Sequence, residues 1–168
     1  MKRFITFIIA VILCVSICTT ANAVDIPDGA YGIIKIPYLN LEMPLYTAPY
    51  HDYDYRQKVI DEEDSALYVE WQSAYRILDH AFSLGYGGKG FWNIQKVMTG
   101  CYAYLYTQDG NYYLECYETA KTEYHGDQEF VNGRLLTPCS SYDLMLVCCA
   151  EDSHHHFVAI FRRLSELS

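Results

Sequence analysis

The chain has 168 residues, 51% of them apolar and 15% aromatic, and a formal net charge of −9. That length suits one domain with a proper core. The acidic balance makes nucleic acid a poor partner, because a polyanion needs clustered cations.

Lys2 and Arg3 precede an apolar run from Phe4 to about Cys18, and Ala21-Asn22-Ala23 follows as a small-x-small cleavage site. This is the layout of a secretory signal peptide, and an uncleaved amino-terminal anchor is the competing reading. The expected division is 1–23 as signal peptide or anchor and 24–168 as the folded domain. Either way the remainder is expected outside the cytoplasm, because positive residues stay inside. The domain of about 145 residues keeps all 21 acidic groups, so its formal charge is near −11.

Tyr31 to Ile36 reads as a strand stopped by Pro37, and Leu39 to Leu45 as a second whose Pro44 suits an edge. Residues 46–54 read as loop and 56–66 hold a weak helical pattern. Asp61-Glu62-Glu63-Asp64 reads as a solvated acidic turn, or less simply as a calcium site, although its spacing matches no EF-hand loop. Strand candidates follow from Ala66 and over Ala74–Leu78, the latter leading to Asp79-His80. Four glycines between Gly85 and Gly90 make a loop without the spacing of a phosphate cradle, and one or two helical turns are expected near Phe91–Met98.

The clearest local signal is Asp109-Gly110 between two alternating runs, a hairpin. With those two residues as the loop, Cys116 falls opposite Ala103, and a Cys101–Cys116 bridge would need the register to slip slightly. Residues 119–137 read as a long loop or broken strand. Tyr142 to Cys149 is a strongly apolar strand, and Phe157 to Phe161 a last one. Seven or eight short strands with little helix make an all-β barrel or sandwich.

Five cysteines remain beyond the leader: Cys101, Cys116, Cys139, Cys148 and Cys149. An odd count leaves one thiol outside any pairing within the monomer. Cys149 ends a buried strand beside loops, where a thiol can be a nucleophile or an inert core group. Cys148 faces the other side of the strand and could pack or bridge, for instance to Cys139. His80, also at a strand end, could be a proton donor or an ordinary surface group. His154-His155-His156 invites a metal reading, yet extended neighbours cannot all reach one ion. An imidazole there, returning toward Cys149, could donate to an oxyanion.

Four stretches resemble the sortase family. They are GIIKIPYLNLEMPLY, the run YRILDH ending at His80, GFWNIQKVMTGCYAYLYTQDGNYYLECYE, and LMLVCC ending at Cys149. Together they span residues 31–163 in the family's order. The resemblance implies an all-β, sortase-like eight-stranded β-barrel with short helical turns. It implies an extracytoplasmic cysteine transpeptidase or peptidase, secreted or held at the outer face of the membrane. Such an enzyme acts on a peptide sorting signal through an acyl-enzyme and passes it to an amine of peptidoglycan or a pilin. No metal or organic cofactor is implied. Cys149 matches the nucleophile, His80 the general acid and base, and Cys148 the family's threonine.

The family's arginine, counted back from Val158-Ala159, falls on His154, where no arginine stands. A histidine offers one donor when neutral, whereas arginine is always charged and forked. His154 could take that role, Arg134 or Arg76 could supply the charge, or the protein could be a degenerate member that binds peptide or cell-wall material without turnover.

Overall fold

The computed structural model describes residues 24–49, 52–63, 66–69, 74–79, 91–125, 128–149 and 155–167. The strands are β1 (Gly32–Ile36), β2 (Leu41–Thr47), β3 (Ala66–Val69), β4 (Tyr75–Asp79), β5 (Tyr102–Thr107), β6 (Gly110–His125), β7 (Gln128–Val131), β8 (Arg134–Leu135), β9 (Leu144–Cys149) and β10 (His155–Glu166). The single α-helix among the described residues, α1, covers Tyr53–Glu63, and 3-10 turns cover Pro37–Leu39 and Phe91–Lys96.

The strand order β10-β9-β4-β3-β2-β1-β5-β6 closes on itself through a β10–β6 pairing. Eight strands therefore make a barrel, as the resemblance implies, and β7 and β8 extend the sheet beyond β6. Closure removes the free edges that an open sheet would expose. Two pairs in the ring are parallel, β2 with β3 and β4 with β9. Pro44 lies on β2 before the stretch, Tyr46–Thr47, that pairs with β3, so its missing N–H interrupts no ladder on that side.

Alternation along the strands divides the apolar groups into two layers. Ile34, Ile36, Leu45, Ile77, Leu105, Leu114, Leu144, Leu146 and Phe161 form the main core. Met145, Val147, Val158 and Ile160, from the other face of β9 and β10, pack with Tyr142, Leu136 and Val131. At Gly32 the backbone of β5 comes so close to β1 that a Cβ would lie 2.2 Å from the Tyr106 carbonyl oxygen and 3.1 Å from Thr107 Cα. Rigid backbone atoms cannot yield, so Gly32→Ala should cost about 3 kcal/mol. A urea denaturation midpoint equal to that of the parent protein would contradict this.

Of the two readings of residues 119–137, a long loop or a broken strand, the structure has the broken strand: β6 continues to His125, because β10 runs beside it from His155 to Glu166 and takes up its ladder bonds. The segment that follows is a second hairpin, with Asn132 and Gly133 at φ +51° and +76° between Val131 and Arg134. Two successive left-handed residues are what a tight primed turn requires, and Asn-Gly supplies them at least cost. Asp61, Glu62 and Glu63 are the last turn of α1, within the stretch whose pattern is helical, and Asp64 lies outside the described residues. Acidic groups at that end work against the helix dipole.

The β5–β6 hairpin forms with Gln108-Asp109 as its loop and Thr107 opposite Gly110. The Asp109 N–H donates to Thr107 Oγ1, that hydroxyl donates to the Gly110 carbonyl at 2.8 Å, and Gln108 N–H reaches the Tyr31 carbonyl at 3.1 Å. This register sets Cys101 against Cys116: Cys116 N–H donates to the Cys101 carbonyl at 2.8 Å, and Gly100 N–H to the Cys116 carbonyl at 2.7 Å. Both residues carry reduced thiols, Cys116 buried and Cys101 half-buried against the main core.

Burial pushes the Cys116 thiol up to about 11, against backbone hydrogen bonding at Glu118 and Ile160 that pulls it down. Thiol–disulfide exchange proceeds through the thiolate. Oxidised glutathione should therefore link Cys101 to Cys116, releasing two glutathione thiols, and faster as pH rises above neutrality. Mass mapping of the linked peptide checks this, and persistence of both thiols after long exposure at pH 10 would refute it. As pH rises from about 9 to about 11 the unfolded thiol loses its proton before the folded one, so the reduced protein should lose stability over that window.

A Cys139–Cys148 bridge does not fit. Cys148 is buried in the main core opposite Phe157, whereas the exposed Cys139 accepts a bond from Arg162, five residues further along β10. Five residues of strand are roughly 16 Å, beyond the span of a disulfide.

Candidate active site

Strands β4, β9 and β10 lie side by side, and their ends meet at one rim of the barrel. β4 is parallel to β9, with Leu78 opposite Val147 and Asp79 opposite Cys148. β10 is antiparallel to β9, with Phe157 opposite Cys148 and His156 opposite Cys149. Apolar β9, buried on both faces over Leu144–Val147, suits a central parallel partner for β4. It fixes Cys149 at the strand's last position.

Alternation puts Cys148 in the row of Leu144 and Leu146, in the main core, where it is 4% exposed. Cys149 occupies the row of Met145 and Val147, on the opposite face. On the alternation of an extended strand, the two adjacent cysteines fall in opposite rows of β9.

His80 and His154 lie outside the described residues. The strands that flank them do not: β4 ends at Asp79, the residue before His80, and β10 begins at His155, the residue after His154. Arg76, buried on β4, is opposite Met145 and directs a nitrogen to the Tyr142 hydroxyl at 3.4 Å. Arg134 on β8 forms an ion pair with Glu118 at 2.7 Å, and Glu118 is opposite Ile160. Met145 and Ile160 are each four residues from the Cys149 and His156 row, roughly 13 Å of strand.

A buried polar cluster adjoins that row. His156 Nδ1 is 2.6 Å from Glu129 Oε1, and the Thr122 hydroxyl donates to Glu129 Oε2 at 2.5 Å. The Glu129 side chain is only 4% exposed and that of His156 20%. The Tyr124 ring stacks on the imidazole, centroids 4.0 Å apart and planes within 3°. Sequence reading singled out the histidine run but missed Glu129. The signal that could have found it is Asn132-Gly133: a hairpin there makes Glu129 a strand residue in the row of Tyr124. Among the described residues, no group of three or more His, Cys, Asp and Glu side chains is arranged to hold a metal ion. No described helix is long and apolar enough to cross a membrane.

No family model matches the sequence, and no curated protein matches it. Solved structures do match by shape. Sortase C-1 from Streptococcus pneumoniae superposes with a TM-score of 0.62 at 14% identity, over 84% of this chain and 70% of that one. Streptococcus agalactiae sortase C1 in complex with MTSET gives 0.61 at 14% identity, covering 88% and 78%. Sortase E1 from Streptomyces coelicolor, with a tripeptide in its active site, gives 0.60 at 16% identity, covering 84% and 92%. This chain has the sortase β-barrel fold.

Proposed function

We propose that the protein is a sortase-like cysteine transpeptidase or peptidase. It acts on a peptide sorting signal at the cell surface, with residues 1–23 as its signal peptide or anchor. The observation that carries the reading is the parallel pairing of β4 with β9. The strand leading into His80 and the strand ending at Cys149 run side by side and finish level. On the sortase fold, that juxtaposition supports a thiol and an imidazole at one rim.

In this mechanism the Cys149 thiolate attacks a peptide carbonyl carbon. The carbon–nitrogen bond breaks, His80 gives its proton to the departing amine, and a thioester remains. His80 then takes a proton from an incoming amine or water, which attacks the thioester; the carbon–sulfur bond breaks and the thiolate is regenerated beside a protonated His80. His154 donates to the oxyanion in place of an arginine. A neutral imidazole offers a single bond there, so catalysis is expected to be slower than with a guanidinium. Streptococcus pneumoniae sortase C has pilin substrate specificity. A pilin or peptidoglycan amine is accordingly proposed as acceptor here, with no metal or organic cofactor.

Thiol mapping tests the assignment. Iodoacetamide should alkylate Cys149 in the folded protein at neutral pH, and His80→Gln should slow that labelling at least tenfold. A Cys149 that is inert or held in a disulfide would remove the enzyme reading and leave a peptide- or wall-binding barrel.

A further inference from the structure

The Glu129–His156 pair belongs to none of the roles assigned above. We propose that His156 is a second catalytic imidazole, the hydrogen-bond partner of Cys149, and that Glu129 is its positioning residue. The inference rests on the reading of Cys149 as nucleophile.

The strand order carries the argument. Across the sheet the order is β9, β10, β6, β7, and one row of one face contains Cys149, His156, Thr122 and, through the row of Tyr124, Glu129. His156 thus has a buried carboxylate on its β6–β7 side and, on its β9 side, the register position of the candidate nucleophile. Directly opposed residues of antiparallel strands have Cβ atoms about 5 Å apart, within reach of a thiol–imidazole hydrogen bond.

Glu129 determines which nitrogen can serve. Oε1 lies 2.6 Å from Nδ1 and Oε2 takes the Thr122 hydroxyl, and because a carboxylate oxygen accepts, this contact favours the tautomer with its proton on Nδ1. The same hydroxyl is 3.3 Å from the His156 carbonyl, a longer contact. With Nδ1 committed, Nε2 is the nitrogen that exchanges protons. Its lone pair can take the thiol proton, and its N–H can donate to an acyl oxyanion. Tyr124, stacked flat on the ring, restricts its rotation. A carboxylate behind an imidazole behind a nucleophile is a recurring arrangement in acyl transfer. A purely structural role explains the pair less well: a buried hydrogen bond adds little net stability, because desolvation offsets its attraction.

The groups facing His156 from the strands packed against it are Thr122 and Tyr124 of β6 and Glu129 of β7, and its register partner on β9 is Cys149. The test is the pH profile of Cys149 alkylation by iodoacetamide, mapped by mass spectrometry on the full chain. His156→Gln should slow alkylation at neutral pH by about 10- to 100-fold and move the profile toward an ordinary thiol. Glu129→Gln should shift it in the same direction by less. If both variants keep the parental profile while His80→Gln abolishes it, the inference fails and the proposed function stands. If Cys149 of the parent protein is itself inert, both fail.

Should either variant not fold, the parent protein gives the answer. Methylthiolation of Cys149 by methyl methanethiosulfonate should change the ring nitrogen resonances of His156. Unchanged resonances would overturn the proposal.

Discussion

Replacing Cys149 with alanine is expected to abolish peptide cleavage and acyl transfer, a loss of about 10,000-fold or more. The proposed reaction passes through a covalent thioester, and no neighbouring group can substitute for the sulfur. Cys148 is one residue away in sequence but lies in the main core on the other side of the sheet. Cys148→Ala should therefore cost about 1 kcal/mol of stability through a small cavity and keep turnover within tenfold. The measurement is product formation from a library of sorting-signal peptides, followed by mass spectrometry. Loss of turnover in Cys148→Ala but not in Cys149→Ala would reverse the assignment of the two cysteines.

The largest stability effect is expected from Phe161→Ala. Phe161 is fully buried on β10, the strand that closes the barrel, opposite Cys116 of β6 and Leu144 of β9. Truncating a buried phenylalanine removes apolar burial and leaves a cavity, together about 3–5 kcal/mol. A domain of this kind is stable by only about 5–15 kcal/mol, so the variant should be partly unfolded under mild denaturant. The register of β6 against β10 shifts between Ile160 and Phe161, where Tyr117 of β6 is the extra residue, so that Phe161 pairs with Cys116. Equilibrium urea unfolding checks the prediction, and a loss below about 1 kcal/mol would mean that the closure collapses to fill the space.

Much of the strand pattern was legible in the chain because alternation and turn chemistry are local. Pro37 stops β1 where expected, and the apolar run into Cys149 is a central strand. The hairpin signal at Asp109-Gly110 was right in kind but not in register. Contacts from Tyr31 and the Thr107 side chain draw Gln108 and Asp109 into the loop instead. The polar stretch 119–125 left loop and broken strand both open, because one of its faces is open to solvent and its partner, β10, lies some thirty residues onward. No local pattern announces such a pairing.

By itself the sequence determined the strand-rich character of the domain, the opposite facing of Cys148 and Cys149, and the candidate residues His80, Cys149 and His154. Those follow from side-chain period and residue chemistry, which neighbours in the chain dictate. Only the tertiary structure decided which strands touch. It closed eight of them into a barrel, set β4 level with β9, opposed Cys101 to Cys116, and brought Glu129 of a distant hairpin to His156. Register between strands far apart in sequence depends on burial and hydrogen bonding across the whole sheet, and a one-residue slip would turn each of these residues to the other face.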